Sequence, residues 1–222
     1  MSDQEIIDHC PEFEPFKKIP RLTREIVITE KIDGTNAQVC IAQAAPGVHI
    51  PEATARVRRY SVNGANRCEI DYAVFAGSRS RWLMPGKKTD NFGFAEWVHD
   101  NVEELVDRLG VGRHFGEWWG QGINRAYGLD HKRFSLFNVS RWSGINRGSA
   151  PECCSVVPIL YEGPFLTDSV DRALENLSTY GSFAAPGFPS PEGVIVFHKA
   201  GNVLFKKTIE KDEEPKSLKE AA

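Results

Sequence analysis

An α+β domain of antiparallel sheets with helices packed outside is what this sequence predicts. Short apolar or alternating runs recur around turn dipeptides, at Asp33-Gly34, Asn63-Gly64 and Gly201-Asn202. Two stretches carry apolar residues at helical spacing. No internal repeat and no break in composition divides the 222 residues, a length that suits one large domain.

Residues 1–24 read as a polar lead-in with Pro11 and Pro15. Residues 24–42, "REIVITEKIDGTNAQVCIA", read as two strands around Asp33-Gly34, with Thr35 and Asn36 tolerating a wider turn. Residues 43–70 look loop-rich, and "DYAVFAG" gives a third strand running into "SRSRWL". Asp90 can cap a helix that carries Phe94, Trp97, Val98, Val102, Leu105 and Leu109 on one face, with Gly110 closing it. "RHFGEWWGQGI" and "RFSLFNVSRW" are aromatic-rich strand candidates, and residues 143–155 read as a loop. Thr167 can cap a second helix over "TDSVDRALENLSTYG", stopped by Gly181. "PEGVIVFH" and "NVLFKKTI" form a final hairpin, and the charged stretch after residue 210 reads as a solvated tail.

A hydrophobic share of 41% is enough for a real core, and the formal net charge of −3 leaves any nucleic-acid contact to local basic patches. The five cysteines (Cys10, Cys40, Cys68, Cys153, Cys154) are odd in number and include no C-x-x-C. That pattern fits neither a disulfide framework nor a zinc site and points to a reducing compartment. The acidic N-terminus lacks the apolar core of a signal peptide, and no apolar run approaches a membrane span. A cytoplasmic protein with no membrane contact is the expectation. The six histidines show no metal-ligand spacing.

The chemistry centres on "TEKIDGTN", residues 29–36. Lys31 stands between an apolar strand and a turn, where the backbone can hold an amine at the mouth of a pocket. Alone the signal is weak: a K-x-D-G string arises by chance in roughly one chain of this size in twenty. Later strings strengthen it. "GSRSRW" places Arg79 and Arg81 after a strand, and "FGEWWG" sets Glu117 among aromatics. "FSLFNV" offers Phe134 and Phe137, "PEGVIVF" opens a strand with Glu192, and "LFKKT" ends one with Lys206 and Lys207. An amine to attack phosphorus, an acid for ribose hydroxyls, an aromatic for a base, an acid for a metal and lysines for phosphate together suit a nucleotide.

This ordered set resembles the covalent nucleotidyltransferase superfamily of ATP-dependent ligases and capping enzymes, most of all its RNA ligase branch, over roughly residues 26–210. The resemblance implies that superfamily's adenylation fold, which is unrelated to ATP-grasp, over residues 25–210; full-length ligases usually carry a further domain, and the expectation here departs from them in having no separate C-terminal domain. It implies ATP as AMP donor and Mg²⁺ or Mn²⁺ as metal. Lys31 then matches the nucleophile that becomes lysyl-AMP. Glu30 matches the residue that contacts adenine, largely through its backbone. Asp33, Gly34 and Asn36 complete the nucleotide-binding motif. Arg79 matches a ribose or phosphate contact, with Arg81 two residues on. Glu117 matches the ribose acid, Phe137 the aromatic stacked on adenine, Glu192 the metal-bound glutamate, and Lys206 a lysine near the α-phosphate.

Two departures stand out. Asn138 replaces an aspartate common after the stacking aromatic. The last motif has adjacent lysines where many relatives space them by two, so only one can face the pocket; Lys206, with Thr208 on its side, is the expected one. The implied partners are RNA or DNA strand ends, a 5′-phosphate and a 3′-hydroxyl. A partner protein could supply a nucleic-acid-binding domain. "ARVRRY" (Arg56, Arg58, Arg59) and Arg147 are candidate strand contacts. A minimal DNA nick ligase, a GTP-using capping enzyme and a non-catalytic binding module are the competing readings.

Overall fold

The computed structural model describes residues 12–63, 66–143, 149–210 and 212. The strands are β1 (Glu25–Lys31), β2 (Thr35–Ala44), β3 (Ala55–Asn63), β4 (Asn66–Gly77), β5 (Trp82–Leu83), β6 (Gly112–Gly120), β7 (Lys132–Leu136), β8 (Cys154–Val156), β9 (Ile159–Pro164), β10 (Gly193–His198) and β11 (Val203–Thr208). The helices are α1 (Phe94–Asp100), α2 (Val102–Leu109), α3 (Val139–Trp142) and α4 (Ser169–Tyr180). The architecture is mixed α+β, mostly sheet. A four-stranded sheet runs β11-β10-β1-β9, and a seven-stranded one runs β3-β4-β2-β6-β7-β8 with β5 on β4.

Alternation along each strand sorts side chains between two faces. In β2, Val39 and Ile41 join Val74, Ala76, Phe134 and Leu136 under α1 and α2, whose Phe94, Val98, Leu105 and Leu109 complete that core. Phe94, Trp97, Trp118 and Phe134 meet there with ring centroids 5.1 to 5.7 Å apart. In β1, Ile26 and Ile28 pack with Val194, Val196 and the Ala173–Leu177 side of α4. Each such fully buried side chain stabilises the fold by roughly 1.5–3 kcal/mol. The opposite face of β1 meets the seven-stranded sheet through Val27, which clusters with Ile32, Trp119, Tyr127 and Val157. The nucleophile candidate therefore sits on the strand that joins two sheets.

Several sequence expectations need correction. Residues 55–63 are a strand, not loop: β3 pairs with β4 along its whole length. Its three arginines hide the alternation, because Val57 is the core residue among them. The expected single helix breaks at Asn101, whose φ of −105° separates α1 from α2 and whose side chain donates to the Trp97 carbonyl. Asp90 does cap, taking the Ala95 and Glu96 N–H groups at 2.8 and 3.1 Å. Thr167 does not; Asp168 is the residue before α4, and no side chain caps that helix. Beyond Leu136 the second aromatic run turns into α3, capped by the Asn138 carboxamide, which accepts from the Arg141 N–H at 3.1 Å. The expected loop contains β8, which pairs with β7 in parallel, and β9 follows. Gly64, Arg147, Cys10 and the residues after 212 lie outside the described residues. Among the described residues no helix is long and apolar enough to cross a membrane.

Candidate active site

Lys31 is the last residue of β1 and pairs with Gly193, so Glu192 arrives beside it at the entry of β10. The Lys31 ammonium forms an ion pair with the Glu192 Oε2, the two side chains being 20% and 11% exposed. That oxygen is buried and receives no well-directed hydrogen bond. It is occupied by the Lys31 ammonium, as an ion pair rather than as a directed hydrogen bond.

Glu117 approaches from the other sheet. It stands across from Asn36 in the β2–β6 ladder, and it accepts the Asn36 Nδ2 at 3.4 Å and the Gly34 N–H at 3.2 Å. Burial lifts its carboxyl from an ordinary 4.5 to about 7, against the opposing pull of Lys31 and the Gly34 N–H; Glu192 adds to the rise. A half-protonated, desolvated acid beside a lysine and a second carboxylate is an arrangement found at functional sites.

The turn after Lys31 is held from outside. The Asp33 N–H donates to the Tyr127 hydroxyl at 2.8 Å, and its carboxylate accepts Asn124 Nδ2 at 2.9 Å and Arg125 Nε at 3.1 Å. Arg125 also donates to the Ser190 carbonyl at 2.9 Å, two residues before Glu192. Asn124, Ala126 and Tyr127 all have positive φ, between 44° and 54°. Such conformations are uncommon outside glycine and persist only where the surroundings enforce them. Asp33 thus positions the motif and meets the protein rather than open space. Gly34 has no room for a side chain: a Cβ there would meet the Trp118 carbonyl at 2.5 Å, Trp119 Cβ at 2.7 Å and Glu117 Cγ at 2.9 Å. Gly34→Ala is expected to destabilise the protein by about 1–3 kcal/mol in urea unfolding, as overpacking does, and to displace Glu117. An unchanged midpoint would refute the close packing.

Glu30 turns the other way. It is 1% exposed, and its carboxylate takes the Ser182 hydroxyl at 2.6 Å and the Phe183 and Ala184 N–H groups at 2.8 and 2.9 Å. Burial raises its pKa, and those three donors oppose the rise. Its side chain anchors the loop after α4. Its backbone N–H goes to the Pro158 carbonyl at 3.0 Å.

Arg79 is exposed and has no ion pair or hydrogen bond among the described residues. Arg81 is occupied, donating to the Thr89 and Asp90 carbonyls at 2.8 and 3.3 Å. The two do not share a strand face, because residues 78–81 form a turn closed by Ser78 and Arg81. Phe137 follows β7 on the Glu117 side of the sheet, 38% exposed, its N–H on the Phe115 carbonyl at 2.9 Å. Lys206 lies across from Ile195, which pairs in turn with Thr29, so Lys206 shares the Lys31 face of the four-stranded sheet. Lys207 faces α4 and donates to Asp171 at 2.8 Å.

Two further expectations change. Arg58 and Arg56 pair with Asp71, and Arg59 with Glu103 and Asp107, so this cluster is neutralised and is no free basic patch. Among the described residues no three His, Cys, Asp or Glu side chains cluster as a self-sufficient metal site. The buried Glu192 oxygen, which already pairs with the Lys31 ammonium, does suit a hard cation that takes most of its ligands from phosphates and water, as Mg²⁺ commonly does. The sequence reading missed Asn124, Arg125, Tyr127 and Ser182.

The sequence model of a family described as RNA ligase matches residues 24–211. No curated protein matches the sequence. Among solved structures, a mutant RNA ligase of Naegleria gruberi in its apo form shares 15% identity at a TM-score of 0.50, over 83% of this chain and 49% of that one. Another mutant of that ligase, solved with ATP and Mn, shares 14% identity at a TM-score of 0.48, over 90% of this chain and 52% of that one. The likeness to the apo form is one of fold, and the chain spans about half the length of these structures.

Proposed function

The chain belongs to the RNA ligase family, and from that premise we propose that it is an ATP-dependent RNA ligase working through lysyl-AMP on Lys31, with residues 25–210 as the adenylation domain. The observation that carries this reading is the meeting of the Lys31 ammonium, the buried Glu192 oxygen and the desolvated Glu117 where the two sheets join.

The Lys31 ammonium gives up a proton to solvent, and the free amine attacks the α-phosphorus of ATP. An N–P bond forms, the bond to the β-phosphate oxygen breaks, and pyrophosphate leaves. The AMP then passes to a 5′-phosphate, and a 3′-hydroxyl displaces it to seal the strand. Phe137 supports the adenine by stacking, and Glu117 with Asn36 takes the ribose hydroxyls. Arg79 and Lys206 add positive charge where the transferring phosphate gains negative charge. Glu192 would hold a divalent ion, Mg²⁺ or Mn²⁺, which when bound offsets triphosphate charge and competes with the ammonium for the same oxygen.

The test is incubation with α-labelled ATP and Mg²⁺ or Mn²⁺. Label that survives denaturation of the wild-type protein, is stable to alkali and lost in acid as a phosphoramidate is, and is returned as ATP by added pyrophosphate or passed to a 5′-phosphorylated RNA, is the expected result. A protein that binds ATP yet never acquires label would overturn the proposal.

A further inference from the structure

The sheet face that carries Glu117 and Phe137 continues past them. Gln38 lies one step along β2 from Asn36, with Phe115 across from it in β6 and Gly77 across from it in β4. Trp82 pairs with Gly77 and sits close against it: a Cβ on Gly77 would meet the ring at 3.0 Å. Phe75 adjoins Trp82 at 5.3 Å between ring centroids. Arg113 lies 5.3 Å above the Trp82 ring, and its Nη1 donates to Gln38 Oε1 at 3.1 Å. The helices cover the other face of this sheet.

Here, by contrast, Phe115 is 50% exposed and Arg113 is exposed. Among the described residues Arg113 has no carboxylate partner, unlike Arg56, Arg58 and Arg59. The face therefore combines the open ring of Phe115 with an uncompensated guanidinium and is continuous with the nucleotide pocket.

We propose that Arg113 and Phe115, with Trp82 beneath the guanidinium, form the docking platform for an unpaired segment of the RNA strand, with Arg113 on a backbone phosphate and Phe115 on a base. The inference rests on the RNA ligase reading for the identity of the strand. Charge and shape select this occupant. A phosphodiester supplies the anion that Arg113 lacks, and every unpaired base has a flat apolar face to lay on Phe115. Gln38 holds the guanidinium over the ring, so the charge is placed before the strand arrives.

The test is fluorescence anisotropy with a short 5′-phosphorylated single-stranded RNA, and with a duplex of the same sequence, at several salt concentrations. Arg113→Gln and Phe115→Ala should each weaken single-strand binding about tenfold, within the range seen for stacking contacts. Arg113→Gln should also lower the slope of log affinity against log salt by about 0.7, as loss of one phosphate contact does, and Phe115→Ala should leave it alone. Both variants should keep the wild-type melting temperature and acquire label from ATP within about twofold of wild type. Unchanged affinity in both variants, or a duplex bound as tightly as the single strand, overturns the platform. So does a loss of ATP labelling in step with binding, because the residues would then belong to the nucleotide pocket. A wild-type protein without label defeats the ligase reading alone, and the anisotropy still decides the platform.

Discussion

Lys31→Ala carries no label from ATP at any time or protein concentration, a loss of at least about 10⁴-fold, because the attacking atom itself is gone. The substitution also leaves Glu192, 11% exposed, without its cation, and a buried charge stripped of its partner destabilises the fold. Lys31→Ala combined with Glu192→Gln keeps the pocket neutral and separates the two effects: it should melt close to wild type and remain unlabelled. The final motif supplies the internal contrast. Lys206→Ala should reduce labelling about 100-fold, as loss of a charge that acts on the transferring phosphate does. Lys207→Ala should stay within about twofold, because that ammonium is tied to Asp171 on α4. Mass spectrometry of the intact protein after incubation with ATP reads all four variants. Label retained in Lys31→Ala, or equal losses at 206 and 207, would refute the assignment.

That contrast was legible before any coordinates, because strand alternation is a local property: two adjacent lysines in a run with period two must diverge. The same logic exposes β1, β2, β10 and β11, whose apolar residues and turn dipeptides are contiguous in sequence. It fails for β3, where Arg56 and Arg58 take the face opposite Val57, Arg59 takes the Val57 side against α2, and their carboxylate partners, Asp71, Glu103 and Asp107, come from elsewhere in the chain. The support of the site was hidden for a similar reason. Asp33 is held by Asn124, Arg125 and Tyr127, more than ninety residues away, and Glu30 by Ser182, 152 residues away. No local pattern announces such a pair. In "GQGINRAY" the glycines mark a turn and Asn124 tolerates a left-handed backbone, but the left-handed backbone of Ala126 and Tyr127 runs against residue preference. The candidate pocket residues could be read because the proposed chemistry requires them in order; the residues that hold them in place answer only to the packing.

Glu117→Gln should make the protein more stable at pH 8 and abolish or nearly abolish its labelling by ATP. The sign follows from burial. The folded-state carboxyl titrates near 7, against an ordinary value of 4.5, so between those pH values the folded protein binds more protons than the unfolded chain. Stability associated with this group is therefore full below about 4.5 and lost as pH rises through 7. At 1.36 kcal/mol per pH unit the loss is on the order of 3 kcal/mol, an upper bound for what a neutral amide recovers. The substitution keeps an oxygen for the Gly34 N–H, and the Asn36 carboxamide can turn to present its own oxygen. Urea unfolding at pH 5, 6, 7 and 8 should show the variant's advantage over wild type growing through this window and levelling above it. Parallel pH profiles for the two proteins would mean that Glu117 titrates as an ordinary carboxylate. A gain in stability coupled to a loss of function is the mark of an acid kept in an unfavourable place for its chemistry, and a residue that only packed β6 against β2 would show the reverse.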